Sequence, residues 1–411
     1  MRGRRLPYPF KWIILLAVFV VPSYAIAGDI SGNISVETRL FPQSPLSAVQ
    51  GGNNLSLAFQ PEYYLEWSRG YQSFTFAPYY RYDQTDDERT HFDLRELQWQ
   101  YIARSWELRV GYRRVFWGVI ETYHLVDVIN QTDLVENIDF EDKLGQPMIN
   151  LVLINDWGTI DLFLLLGFRE RTFAGEKGRL RFPLKLDLNN ALYESSDKEE
   201  HIDYAVRYEH SLGIWDFGLS YFDGTNREPT FQLGFDDNGM PRIDLNGNPT
   251  LVPYYSQINQ TSLDLQGTFD NGLLLKLEAL SRKGKSDRFF AASAGLEYTF
   301  YGIKGTNADA GLLLEYHYDE RDTLATTPFQ NDLFIGTRIA MNDVQSSDLL
   351  AGAIIDLDTG GSALVLESTR RIGANWKIEV QIRAFVNADK TDALYGFRKD
   401  GMLQIELFRY F

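Results

Sequence analysis

The chain of 411 residues contains no cysteine. Without cysteine there can be no disulfide, no thiolate metal site and no cysteine nucleophile. Beyond one short run near its start, the chain also lacks any apolar stretch close to the roughly 20 residues that a helix needs to cross a membrane. Closure of the fold is therefore expected to come from backbone pairing rather than from covalent cross-links.

Residues 1–27 are predicted to be a signal peptide that is removed after Ala27. Arg2, Arg4, Arg5 and Lys11 make a basic start, an apolar run of about ten residues follows, and Ala25 and Ala27 form an A-x-A cleavage site. A membrane anchor is the alternative, but the apolar run is short for a spanning helix. The remaining 28–411 is predicted to be a single domain.

Basic residues are scarce in that domain. Removing the four basic residues of 1–27 leaves 36 Lys and Arg against 56 Asp and Glu, a formal charge of −20. Nucleic acid is excluded as a partner, because binding phosphates requires a basic surface. The phosphate-cradling, nucleophile-elbow and zinc-protease motifs are absent from the sequence. No cofactor, metal site or catalytic residue is predicted.

Aromatic residues and period-2 alternation are abundant. The chain has 23 Tyr, 27 Phe and 8 Trp, yet its mean hydropathy is negative. From Trp376, apolar residues occupy one face of an extended segment, while Lys377, Glu379, Gln381 and Arg383 occupy the other. One apolar face and one charged face on nearly every long segment is typical of strands between lipid and water.

About eighteen such segments are predicted, with sixteen as the alternative because the segments near Phe289 and Asp348 are the weakest. Tight connectors alternate with long ones, as in outer-membrane barrels with short periplasmic turns and long extracellular loops. The predicted fold is an all-β, antiparallel, up-and-down transmembrane β-barrel. The segments are expected to begin near Ile30, Leu55, Tyr71, His91, Trp106, Met148, Thr159, His201, Ile214, Ser256, Leu273, Phe289, Ala308, Asp332, Asp348, Ala363, Trp376 and Met402.

The last segment ends on an aromatic residue. Leu403, Ile405, Leu407 and Phe411 share one face, with Arg409 on the same register. A terminal aromatic after alternating apolar residues resembles the signal read by the outer-membrane insertion machinery, and Phe411 is assigned that role.

The connector 114–147 is predicted to fold into the barrel and to form its constriction. It is both acidic and unusually apolar, so it should pack against something, and the barrel interior is available. An external lid over the barrel mouth is the alternative. Its acids are Glu121, Asp127, Asp133, Glu136, Asp139, Glu141 and Asp142.

A ladder of bases is expected to face that connector across the lumen. Acids opposite bases would create a transverse field that favours hydrated or zwitterionic solutes. The alternative is that these charges pair internally and plug the lumen. The ladder consists of Lys276, Arg338, Arg371, Lys377, Arg383, Arg109 and Arg113.

Several sequence segments resemble those of a family of proteobacterial outer-membrane barrels usually described as porin-like. They are RVFWG, DVINQTDLVENID, EDKLGQPMIN and LVPYYSQINQTSLDLQG. As the third predicted extracellular connector in chain order, 114–147 is also similar in position and length to the inward loop of general porins. The resemblance implies a barrel and an outer-membrane location, and it transfers no functional residues.

The predicted function is passive diffusion of small hydrophilic solutes across a Gram-negative outer membrane, with a weak preference for cations. The expected partners are outer-membrane lipid, lipopolysaccharide, the insertion machinery and, with oligomeric state left open, two further copies in a homotrimer. A plugged barrel with a structural or adhesive surface role is one alternative. An outer-membrane hydrolase is another, since His91, His201 and His317 each lie near acids.

Overall fold

In a computed structural model, the chain forms one closed β-barrel. The structure describes residues 28–236, 238–244, 247–285, 287–390 and 393–411. The predicted signal peptide lies outside them. Among these residues, no helix is long and apolar enough to cross a membrane.

Eighteen antiparallel strands make the barrel wall. They are β1 (Asp29–Leu40), β2 (Asn54–Trp67), β3 (Gln72–Asp83), β4 (His91–Ile102), β5 (Trp106–Arg113), β6 (Gln146–Asn155), β7 (Gly158–Leu166), β9 (Ile202–Leu212), β10 (Trp215–Thr225), β13 (Gln257–Thr268), β14 (Leu273–Lys283), β15 (Phe289–Phe300), β16 (Asp309–Asp319), β17 (Asn331–Ala340), β18 (Asp348–Asp356), β19 (Ser362–Ile372), β20 (Trp376–Val386) and β21 (Met402–Tyr410). Each begins within two residues of its predicted start. The eighteen-strand prediction is confirmed, and the sixteen-strand alternative is wrong.

Three further strands, β8 (Leu192–Tyr193), β11 (Thr230–Leu233) and β12 (Leu251–Tyr255), form a small separate sheet in the long connectors. Short 3-10 turns occur at Ser68–Gly70, Leu188–Asn190, Lys198–Glu200, Ile303–Gly305, Asp322–Leu324 and Ala393–Phe397.

The first and last strands close the barrel. In one row across the seam, Val36 of β1 lies opposite Leu57 of β2 on one side and Leu407 of β21 on the other. Closure leaves no strand edge in the described wall, so every strand finds two neighbours for its backbone hydrogen bonds.

The two faces of the wall differ sharply. Outward side chains are apolar and exposed, as at Leu57, Leu312 and Ile335. Inward side chains include the fully buried carboxylates Glu278 and Glu315. An exposed apolar band around a charged interior matches strands that meet lipid on one side only.

Long connectors lie at one end of the barrel and short turns at the other. The third long-end connector begins after Arg113 and stops before Gln146, so Gln146 and Pro147 belong to β6 rather than to the connector as predicted. Residues 114–145 are called the inward connector below.

Candidate functional site in the barrel lumen

The inward connector lies against the inner face of the barrel and is held there by Glu278. The carboxylate of Glu278, on β14, accepts backbone N–H bonds from Val119 at 2.6 Å, Ile120 at 2.9 Å and Val126 at 3.1 Å. A buried carboxylate with three backbone donors is well satisfied, and such charge-assisted bonds are the stronger kind. The connector is therefore fixed to an inward-facing side chain of the wall.

Glu315 on β16 makes a second anchor. It accepts the backbone N–H groups of Glu121 and Thr122, at 2.8 and 3.1 Å, and the Thr122 hydroxyl at 2.7 Å. His317 shares hydrogen bonds with Thr122 and Ser293, both at 2.8 Å. His317 is fully buried, so it serves this anchor and offers no open catalytic face.

Apolar side chains of the connector fill one side of the lumen. Trp117 packs edge-on against Phe163 of β7 at 5.7 Å, and Tyr123 stacks on Phe329 at 4.8 Å. Burial of this much apolar surface stabilises the connector against the wall. The two clusters comprise Trp117, Val126, Val128, Ile129, Met148, Phe163, Leu165, Ala205, Phe222 and Ile258, and Tyr123, Leu125, Leu280, Phe289, Ala291 and Phe329.

Two acids of the connector meet arginines of the opposite wall. Arg95 on β4 lies 2.8 Å from Asp133, and Arg81 on β3 lies 2.8 Å from Glu136. Burial raises the pKa of Glu136, but Arg81 and Arg89 outweigh it and bring the pKa to about 2. Glu136 is thus ionised at any physiological pH.

Two members of the predicted ladder also bind connector acids. Arg383 on β20 lies 2.8 Å from Asp139, and Arg338 on β17 pairs with Glu121. Both ion pairs join the connector to the wall, which is the arrangement predicted for acids facing bases across the lumen.

Two other acids pair within the connector. Asp127 lies 3.2 Å from Lys143, and Glu141 lies 2.9 Å from His124. These contacts shape the connector itself and do not reach the wall.

Asp142 occupies a less favourable electrostatic position. Burial raises its pKa to about 7, and the neighbouring carboxylates of Glu136, Asp139 and Asp133 add to the effect, while Arg95 opposes it. The charge of Asp142 therefore changes near neutral pH.

The remaining ladder residues lie in the wall, and four of them pair with residues of their own or the adjacent strand. Arg109 pairs with Glu107, Arg113 donates to Asn150, Lys276 lies 3.9 Å from Glu297, and Lys377 lies 2.5 Å from Glu379. Arg371, opposite Lys377 in the β19–β20 register, is exposed at the short-turn end. The seven bases thus do not form one ladder facing the connector.

Four arginines outside the predicted ladder form most of the basic wall. They are Arg39, Arg81, Arg89 and Arg95, all under a tenth exposed. The three on β1, β3 and β4 could have been found from the period-2 alternation of those strands, because each lies at an inward-facing position. Arg89 lies in the connector 84–90, where no alternation applies.

Between the connector and this wall lies a cavity of about 430 Å³. It is bounded by β1–β4 and β19–β21, on the side of the lumen that the apolar clusters leave open. Its ionisable lining has five bases and seven acids: Arg39, Arg81, Arg89, Arg95 and Arg114 against Glu37, Glu136, Asp139, Asp142, Glu367, Glu379 and Glu406. The cavity is thus polar, with a surplus of two carboxyl groups.

Comparison with known proteins finds no matching family model and no matching curated protein. Several solved barrels match over nearly the whole chain. A mutant of the Rh. blastica porin is 11% identical with a TM-score of 0.45 and covers 94% of this chain and 100% of its own. OmpT of Vibrio cholerae, in a trimer form, is 8% identical with a TM-score of 0.45 and the same coverage. OprB of Pseudomonas putida is 10% identical with a TM-score of 0.44, covering 93% of this chain and 94% of its own.

Proposed function

We propose that the protein is a porin-like outer-membrane channel that passes small hydrophilic solutes by diffusion. The observation that carries the proposal is the polar cavity beside the inward connector, inside a closed barrel whose outer face is apolar. At about 30 Å³ per water molecule, the cavity has room for roughly a dozen waters. Small hydrated ions or solutes fit such a space, and a large substrate does not.

A weak preference for cations is part of the proposal. Seven acids against five bases line the cavity, and three of the acids, Glu136, Asp139 and Asp142, belong to the inward connector. Fixed charge at a narrow point attracts counter-ions and repels co-ions. Asp133 is fully buried beside Arg95 and contributes little to this field, although it is one of the predicted constriction acids.

The test is single-channel recording of refolded protein in a planar bilayer under a KCl gradient. We expect discrete openings and a reversal potential displaced towards that of K⁺. The combined change Asp139→Asn and Asp142→Asn should lower the K⁺/Cl⁻ permeability ratio at least twofold. Glu141→Gln is the matched control, because Glu141 is a neighbouring connector acid outside the cavity lining. An equal fall of the permeability ratio in Glu141→Gln would contradict the assignment of the cation preference to Asp139 and Asp142.

A sealed barrel with a surface role is the second candidate, and one feature favours it. The long connectors contact one another at their end of the barrel. Arg179 lies 2.6 Å from Asp400 and donates to the carbonyl of Gln43. The backbone N–H of Gly51 donates to the carbonyl of Lys177 at 2.8 Å. A folded protein with no conductance would rule out the channel and favour this candidate.

The lipid, lipopolysaccharide, insertion-machinery and homotrimer assignments stay predictions, as does the absence of enzymatic activity. The cell outer membrane is the location that the exposed apolar band supports.

A further inference from the structure

Three potential metal ligands meet where the inward connector touches β4. His91 is the first residue of β4, and Asp133 and Glu136 lie in the connector. The Nε2 atom of His91 is 3.8 Å from Oδ2 of Asp133 and 3.4 Å from Oε1 of Glu136. The three ligand atoms all lie within 4.8 Å of one another.

Within the described part of the chain, these three atoms are buried and take part in no hydrogen bond. Nδ1 of His91 lies 3.0 Å from the carbonyl oxygen of Arg89, which can only accept, so Nδ1 carries the proton. Nε2, the other ring nitrogen of His91, faces the two carboxylate oxygens. Buried carboxylate oxygens that face each other are costly unless a cation lies among them. Arg95 meets Oδ2 of Asp133 at 2.8 Å, whereas Oε1 of Glu136 has no hydrogen-bond partner among the described residues.

The other atoms of the carboxylates are already held. The Thr172 hydroxyl donates to Oδ1 of Asp133 at 2.5 Å, and the Tyr79 hydroxyl donates to Oε2 of Glu136 at 2.8 Å. Together with the Arg89 carbonyl on His91, each ligand has an outer partner that fixes its orientation. Metal sites in proteins are built with this kind of support.

The surrounding arginines do not fully neutralise the acids. Arg95 lies 2.8 Å from Oδ2 of Asp133, and Arg81 lies on the Oε2 side of Glu136. Among the described residues, the ion pairs around Glu136 connect four carboxylates to three guanidinium groups, and those around Asp133 connect two carboxylates to two. The members are Glu37, Asp83, Asp93, Asp133, Glu136 and Glu406 with Arg39, Arg81, Arg89, Arg95 and Arg169.

We propose that His91, Asp133 and Glu136 bind a divalent transition-metal ion, with Zn²⁺ the best match. Imidazole and carboxylate are zinc ligands at about 2.0–2.2 Å, which puts ligand atoms of a tetrahedral site roughly 3.3–3.6 Å apart. The distances from His91 Nε2 fall at or close to that spacing. The ion supplies the missing charge and joins β4 to the inward connector, so its role is structural. The site does not depend on whether the barrel conducts.

The test is zinc binding by full-length protein refolded in detergent, without a polyhistidine tag and after EDTA treatment. Isothermal titration with ZnCl₂ is expected to give one site per chain, and bound zinc is expected to raise the thermal unfolding temperature. His91→Gln should weaken binding at least tenfold and abolish the thermal shift. His201→Gln is the matched control, because His201 lies 2.7 Å from a single carboxylate, Asp203, which Arg227 already pairs.

Three results would overturn the proposal. The first is folded wild-type protein that binds no zinc. The second is unchanged zinc binding in His91→Gln. The third is an equal loss of zinc binding in His91→Gln and in the control His201→Gln. Heat-modifiable migration on gels confirms that each variant is folded, and the wild-type titration decides the question even if His91→Gln does not refold.

Discussion

Single residues in the lumen divide into those that hold the connector and those that face the cavity. Glu278 and Glu315 hold it, because their carboxylates accept backbone N–H groups that would otherwise be unpaired. Asp139 and Asp142 face the open side. Acids of the wall thus anchor the connector, while acids of the connector line the cavity.

The pH dependence of selectivity is the prediction for single residues. Because the pKa of Asp142 is raised to about 7, its carboxyl is mostly charged at pH 8 and mostly neutral at pH 6. The cation preference should therefore fall as the pH drops through 7. Reversal potentials at the two pH values measure the change.

Asp142→Asn is the informative variant for this prediction. It should show the weaker preference at both pH values, with most of the pH dependence gone. A pH dependence as large as that of the wild type would assign the titration to another group.

Among the elements, the inward connector and the wall act as one unit. Arg113 at the end of β5 pairs in register with Gln146 at the start of β6. The two strands could therefore be joined by a tight hairpin, and the thirty-odd residues between them are not needed for strand pairing. Their apolar packing and ion pairs instead fix the connector inside the lumen.

Replacement of residues 116–143 by a short Gly-Ser linker tests the connector as an element. The conductance should rise several-fold and the ion selectivity should fall, because the connector no longer narrows the lumen. Single-channel recording measures both quantities. The same replacement of residues 234–249, in the ribbon between β11 and β12, is the control and should leave conductance unchanged. Unchanged conductance in the first variant would show that the connector does not limit flow.

In the whole molecule, the barrel closes by joining β1 to β21 next to the C-terminal residue. Phe411 is half exposed on the outer face and stacks near Phe59 of β2 at 6.2 Å. Its backbone N–H donates to the carbonyl of Gly32 at 3.1 Å. The residue thus lies at the seam, where the last strand meets the first.

Phe411→Ala tests the predicted role of this residue in insertion. The amount of assembled barrel in the outer membrane should fall several-fold, while refolding in detergent should be little affected. Heat-modifiable migration of membrane fractions measures assembly. Tyr410→Ala changes the adjacent aromatic residue and is the control. Equal assembly of the two variants would argue against Phe411 as the signal.

The strand count and the strand starts were readable from the sequence. Alternation with period 2 is a local property, so each strand carries its own signal whatever it pairs with. The apolar and acidic composition of the connector indicated that it packs against another part of the chain. The pairing partners of its acids were not readable: Arg338 and Arg383 meet connector acids, whereas the other five bases of the predicted ladder do not.

The pattern of residues along the chain is enough to establish a barrel in which each strand has one face for lipid and one for the lumen. Which charges meet inside it depends on contacts between distant parts of the chain. Val119 and Glu278 are 159 positions apart, and Arg81 of β3 meets Glu136 of the inward connector. The convergence of His91, Asp133 and Glu136 likewise depends on the path of the connector across the lumen. Such contacts follow from closure of the whole wall, and no local pattern encodes them.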